Sequence, residues 1–197
     1  MEDYLAELNN HVKVKTIKRK FAAFSAFFSY LEYHEIIKES PLIKFKLKIR
    51  DNPTLPNTIL ICDVEKILRT VYNLPVSNDV GYRTKVRDIA IIELLFACGM
   101  RVSELTGLLL SDYSPQNHSL RIIGKGSKER SAYITDEAAL SAFENWMELR
   151  KTLKAKAPNI FLNRYNDYLR PISVRFLVNK YAEMAGIENR VTPHSFR

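Results

Sequence analysis

Arg101, Lys125, His194 and Arg197 are the residues whose types best suit anion or proton chemistry, and each also has an ordinary explanation. An arginine offers a planar, permanently charged fork to phosphate oxygens, and a lysine or histidine can pass a proton. Arg101 follows a glycine turn and has Glu104 at i+3, the spacing of a surface ion pair that stabilises a helix only slightly. Lys125 stands between Gly124 and Gly126, where a solvated lysine is commonplace. His194 and Arg197 are one helical turn apart, which by itself describes a polar helix face. The lone Gly-Lys-Gly lacks the spacing of a nucleotide phosphate loop. Cys62 and Cys98 lie in apolar stretches, far from any second Cys or His at ligand spacing. They read as buried free thiols, with no disulfide, metal site or cofactor expected.

The elements that would carry these residues can be read from pattern. Tyr4, Leu5 and Leu8 have helical spacing in a short acidic start, and Ile17, Phe21, Phe24, Phe28 and Leu31 form a stripe on a helix from Thr16 to about Glu35. Two helices cannot bury so many phenylalanines between themselves. Lys44-Phe45-Lys46-Leu47-Lys48-Ile49-Arg50 alternates strictly, which suits a lysine-protected edge strand or a linker crossing a phosphate backbone. Pro53 and Pro56 then mark a boundary. Beyond it, Asp63 is the expected N-cap of a helix to about Tyr72. The stretch Arg83 to Cys98 reads as a central helix, apolar almost all round. Gly99 stops it, and a short helix starts at Arg101 and runs to Leu108. Ser119 to Ile134 reads as a hairpin with a glycine-bearing turn. Helices are expected at Asp136–Lys154 and Ile172–Ala185, with a strand-like Ile160-Phe161-Leu162 between them, and Pro193 opens a further helical turn. The class is therefore mainly α with a small antiparallel β-sheet (α+β).

Charge points to a partner. The net charge is +8, and residues 12–50 hold ten Lys/Arg against three Glu. A polyanion binding there would release counterions, although a basic solvated face has the same composition. No apolar run reaches the length of a membrane span and no signal peptide opens the chain, so a cytoplasmic, intracellular location is expected.

Order and context connect the four residues. Ala97-Cys98-Gly99-Met100-Arg101-Val102-Ser103-Glu104-Leu105 precedes Gly124-Lys125-Gly126-Ser127-Lys128-Glu129-Arg130, and Thr192-Pro193-His194-Ser195-Phe196-Arg197 comes last. This series resembles the tyrosine recombinase (phage integrase) family, whose catalytic domain carries G-x-R-x-x-E-L, G-K-G-x-K-x-R on a β-hairpin, and H-x-x-R after T/S-P. The resemblance implies a site-specific recombinase that breaks and rejoins double-stranded DNA through a 3′-phosphotyrosine, without metal or nucleotide. It assigns Arg101 and Arg197 as a phosphate clamp and Lys125 as general acid. His194 would assist proton transfer or bond the phosphate, and Glu104 would orient Arg101 or the adjacent helix. It implies DNA contacts for Lys13, Lys15, Lys18, Arg19, Lys20, Lys44, Lys46, Lys48, Arg50, Lys128 and Arg130. Residues 1–43 are expected to be the end of a helical core-binding domain, 44–58 a basic, proline-containing linker, and 59–197 an incomplete catalytic domain.

The family places its nucleophilic tyrosine after H-x-x-R, and none of the ten tyrosines here lies beyond Arg197. Tyr165, Tyr168 and Tyr181 precede the pair and read as turn or core residues. The expectation is a fragment truncated at both ends, inactive as it stands and monomeric when free, whereas intact members form tetramers on DNA. A DNA-binding remnant or competitor without activity, and a type IB topoisomerase-like enzyme, are the other readings.

Overall fold

The computed structural model describes residues 12–43, 58–124, 129–189 and 191–196. The chain divides into two units, Met1–Leu55 and Pro56–Arg197. The start expected to be helical and the alternating Lys44–Arg50 segment lie outside the described residues.

In the first unit, helix α1 spans Val14–Tyr33. Its expected stripe is real but unevenly covered. Ile17 is buried, whereas Phe21, Phe24, Phe28 and Leu31 are only partly so. Phe27 lies off the stripe, is exposed, and meets Phe28 edge-on with ring centroids 5.5 Å apart. The helix ends as Glu35 turns into the left-handed region at φ 57°.

The second unit is built around α3, Asp79–Cys98, which is preceded by α2, Ile61–Tyr72. Asn78 caps α3 by accepting from the Gly81 N–H at 2.7 Å, which extends the helix four residues ahead of the expected start. From Asp88 to Leu95 every α3 residue is buried. That is possible because α2, α5 (Glu137–Lys151), α6 (Pro171–Met184) and the short α4 (Val102–Gly107) all pack on α3. Two acids share this interior. Asp88 accepts from Arg87 Nη2 at 2.6 Å and from the Tyr181 hydroxyl at 2.9 Å, while Glu93 accepts from the Tyr72 hydroxyl at 3.0 Å. Burial raises both carboxyl pKa values, with the bonds from these partners opposing it.

Strands β1 (Tyr113–Ser114), β2 (Ser119–Ile123) and β3 (Glu129–Tyr133) form an antiparallel sheet in sequence order. β2 and β3 are the expected hairpin. Its register pairs Leu120 with Ala132 and Ile122 with Arg130, so these four share the inner face of the pleat. The fold is thus mainly α with a small antiparallel sheet, as expected.

Three local expectations are corrected. Asp63 does not cap α2: the helix starts earlier, with Leu60 at the cap position, and Asp63 sits in the first turn, paired to Lys66 at 2.9 Å. Cys62 is exposed, because the buried stripe of α2 is Val64, Ile67 and Val71 and the thiol lies off it. Cys98 is half-buried. Ile160-Phe161-Leu162 is buried but joins no sheet. Much of its backbone bonding goes elsewhere, to the Leu108 carbonyl, to the Leu169 N–H and to side chains of α5. Trp146 donates to the Ile160 carbonyl at 2.9 Å, and Arg150 reaches the carbonyls of Asn159, Ile160 and Ala157 at 2.8, 3.1 and 3.0 Å. A strand and a segment seated beneath a helix show the same short apolar run.

Tyr181 is a core residue, while Tyr165 and Tyr168 lie exposed in the turn after Asn163. No described helix is long and apolar enough to cross a membrane.

Candidate active site

Gly99 adopts φ 53° at the end of α3, a left-handed conformation in which an L side chain is strained. Met100 then inserts completely into the core, and Arg101 takes the N-cap position of α4. A buried helix, a left-handed turn and one buried anchor residue therefore determine where the Arg101 side chain leaves the surface.

Glu104, on the first turn of α4, organises the site. Its Oε2 accepts from the Arg101 backbone N–H at 2.9 Å, closing the start of the helix, and its Oε1 accepts from Arg101 Nη1 at 2.7 Å. Arg130 Nη2, from β3, donates to the same Oε2 at 2.9 Å. The carboxylate is only 4% exposed, whereas the Arg101 and Arg130 side chains are 49% and 42% exposed. Burial alone would raise the Glu104 pKa, but the bonds from Arg101 and Arg130 outweigh it and hold the group below the usual glutamate value. Glu104 is thus an anion at neutral pH, with one guanidinium on each oxygen. The remaining donors of Arg101 make no other hydrogen bond among the described residues. They form a charged, partly solvated fork held at one corner, which is an arrangement suited to a phosphate oxygen.

His194 is exposed on a 3-10 turn, Pro193–Phe196, whose other residues are buried. This turn is seated against α3 and α6. Ser195 fastens it, donating its N–H to the Thr192 carbonyl at 2.8 Å and accepting from the Ile59 N–H at 2.9 Å. The imidazole therefore projects from a fixed base.

Arg101, Glu104 and Arg130 are brought together. Lys125, Lys128 and Arg197 lie outside the described residues, as do Lys44, Lys46, Lys48 and Arg50. Lys13, Lys15, Lys18, Arg19 and Lys20 lie at the N-terminal end of α1 in the other unit. Among the described residues no cluster of His, Cys, Asp or Glu is placed to hold a metal ion. Sequence reasoning grouped Arg130 with the DNA-contacting cations and did not foresee its bond to Glu104. The available signal was strand parity, which puts residue 130 in phase with buried Ala132.

Residues 63–197 match the phage integrase family over more than half of the chain. The chain belongs to the phage integrase family. Curated members include a tyrosine recombinase from Agathobacter rectalis, 36% identical over all of this chain, and tyrosine recombinase XerC from Actinobacillus pleuropneumoniae, 31% identical over 93% of it. The chain spans 65% and 56% of those two proteins, less than two-thirds of either. In fold it is similar to XerH site-specific recombinase bound to its difH substrate in a post-cleavage complex. That likeness has a TM-score of 0.80 at 21% identity, covering 98% of this chain and 57% of XerH. It is also similar to lambda integrase bound as a dimer to a core site, with a TM-score of 0.71 at 15% identity, covering 98% of this chain and 52% of that one. Within the family, Gly99-Met100-Arg101-Val102-Ser103-Glu104-Leu105 is the G-x-R-x-x-E-L segment noted above, now seen as a turn, an N-cap and a first helical turn.

Proposed function

We propose that the chain is the part of a site-specific DNA recombinase that grips the scissile phosphate of duplex DNA. In this reading Arg101 and Arg197 clamp the non-bridging oxygens, where transesterification builds negative charge. Lys125, on the hairpin turn, gives a proton to the leaving 5′ oxygen. His194 assists that proton transfer or bonds the phosphate. Glu104 holds Arg101 by its backbone and by one corner of its guanidinium, leaving the rest of the fork to the phosphate. The basic residues of α1 and of segment 44–50, with Lys128, add contacts along the DNA backbone. Residues 1–43 form the end of a core-binding domain, 44–58 a linker, and 59–197 the catalytic portion. A chain boundary between Leu55 and Pro56 supports that division.

The observation that carries the reading is the half-exposed Arg101 fork on a buried carboxylate, set within the family's own motif. The family match favours recombination over the type IB topoisomerase alternative.

The salt dependence of duplex binding tests this directly. Salt-sensitive binding is expected. Affinity that does not change between low and moderate salt overturns the DNA reading.

A further inference from the structure

A cleft of about 280 Å³ opens between the first turns of α3, the last turns of α5 and the turn that follows Leu162. Arg83, Arg87 and Arg164 line it, and among the described residues no Asp or Glu does. Arg87 is fully engaged. Its Nε and Nη2 donate to Asp88 Oδ1 at 2.9 and 2.6 Å, and its Nη1 donates to the Leu162 carbonyl at 3.0 Å. That last bond fastens the turn to α3. Arg83, one helical turn earlier on the same face, is partly buried. Its Nε reaches only the Asp79 carbonyl, at 3.4 Å, and it forms no ion pair among the described residues. Arg164 lies over the Tyr165 ring, 4.6 Å from the centroid, and donates to the Tyr165 hydroxyl. It too has no acid beside it among the described residues. Asn166, in the left-handed region at φ 61°, adds a side-chain amide that bonds no other described residue. Arg83 lies about 22 Å along the α3 axis from Cys98, where the chain turns toward Arg101. The cleft is therefore separate from the Arg101 fork.

We propose that this cleft binds a phosphate group, held between the guanidinium groups of Arg83 and Arg164. Two cations facing one cleft without an acid repel each other, and an anion between them turns that repulsion into attraction. Two guanidinium forks from different elements, with the Asn166 amide, offer donors to several oxygens at once. A phosphomonoester carries about −1.5 to −2 charges near neutral pH, which matches the two unpaired arginines. The volume falls at the lower edge of small-molecule sites, which begin at about 300 Å³. The ligand is thus inorganic phosphate, a small phosphomonoester or a single backbone phosphate of DNA. Arg87 makes no phosphate contact: its bond to the Leu162 carbonyl keeps the turn bearing Arg164 beside Arg83.

Binding of inorganic phosphate to the whole chain is measured by equilibrium dialysis at fixed ionic strength, with a melting temperature for each variant. The Arg101→Ala variant, which lacks the Arg101 fork, is expected to keep a bound phosphate. In that background Arg83→Gln and Arg164→Gln should each weaken binding about tenfold, with little change in melting temperature. Arg164 is on an exposed turn, so its variant keeps the test valid should Arg83→Gln unfold. Lys154→Gln, an exposed neighbour of Leu153 that does not line the cleft, should leave binding unchanged. Binding lost with Arg101→Ala alone places the phosphate on the fork and overturns the cleft while leaving the functional reading intact. Unchanged binding in both glutamine variants of the cleft arginines overturns it, and so does equal weakening by Lys154→Gln, which would mean diffuse surface charge. A short DNA duplex then separates the sources. Release of the bound phosphate by the duplex assigns the cleft to a backbone phosphate, and retention assigns it to free phosphate or a small phosphomonoester.

Discussion

Two arginines should respond to the same substitution in opposite ways. Arg101 is half exposed and makes one side-chain ion pair, to Glu104. After Arg101→Ala, Glu104 keeps the backbone N–H of residue 101 and Arg130 as donors. An ion pair open to solvent on one side is worth about 0.5 kcal/mol, so the loss of stability should stay below about 1 kcal/mol. Arg150 is only 6% exposed and donates to three backbone carbonyls. Arg150→Ala leaves the carbonyls of Asn159 and Ala157 without their guanidinium donor, whereas Ile160 keeps Trp146. Two partly buried acceptors stripped of a charged donor should cost about 3 kcal/mol in all. For a chain of this size, that is a melting temperature lower by about 9 °C for Arg150→Ala and by about 2 °C for Arg101→Ala. Trp146, the sole tryptophan, is buried against Phe161 with the rings 6.2 Å apart, so its emission should report unfolding alongside circular dichroism. In the binding assay the order reverses: Arg101→Ala should flatten the salt slope by about one unit, and Arg150→Ala should leave it unchanged at a temperature where it is folded. If Arg101→Ala melts as early as Arg150→Ala, Arg101 is part of the scaffold and the reasoning fails.

Two further outcomes follow from the buried carboxyls. Tyr181→Phe removes the hydroxyl that donates to Asp88 and leaves Arg87 as its partner, which should cost about 1–2 kcal/mol in urea unfolding. A change indistinguishable from zero would show that the hydroxyl contributes nothing net. The lowered pKa of Glu104 gives its ionised form a stabilising role above the ordinary glutamate value of about 4.3, which is lost as pH falls through the folded value. The stability gap between wild type and Glu104→Gln should therefore narrow on acidification below about pH 4, and a gap that stays constant to pH 3 contradicts the assignment.

The elements that pattern reveals well are those whose burial is one-sided or complete. The α3 run from Ile89 to Phe96 announced a central helix because all-round apolarity admits few other placements. The hairpin was legible from its glycine turn, and the stop at Gly99 from the residue type. Ile160–Leu162 was not, because its backbone partners include side chains of α5, and a side chain that reaches across from another element leaves no local periodicity. Cys62 was misplaced for a related reason: an apolar neighbourhood in sequence is not a buried face. The Arg101–Glu104 pair followed from i, i+3 spacing, but its energetic character did not. The pair reads as a surface contact until Arg130, 26 residues later, is seen to share the carboxylate. Spacing conveys adjacency on one helix and says nothing of what a distant strand lays across it.

The enclosure of α3 constrains how the molecule can vary. Adding or removing a single residue between Asp88 and Leu95 would turn everything beyond by about 100° and shift it by about 1.5 Å along the axis. Ile89 to Leu95 would then face the wrong neighbours, and the fork of Arg101 would sweep away from its present bearing. The rod works like the shank of a key: its length sets the angle of the bit. Changes of length can be absorbed in the exposed turn around Tyr165, far from this axis in sequence, whereas the stretch leading to Gly99 has no slack to give.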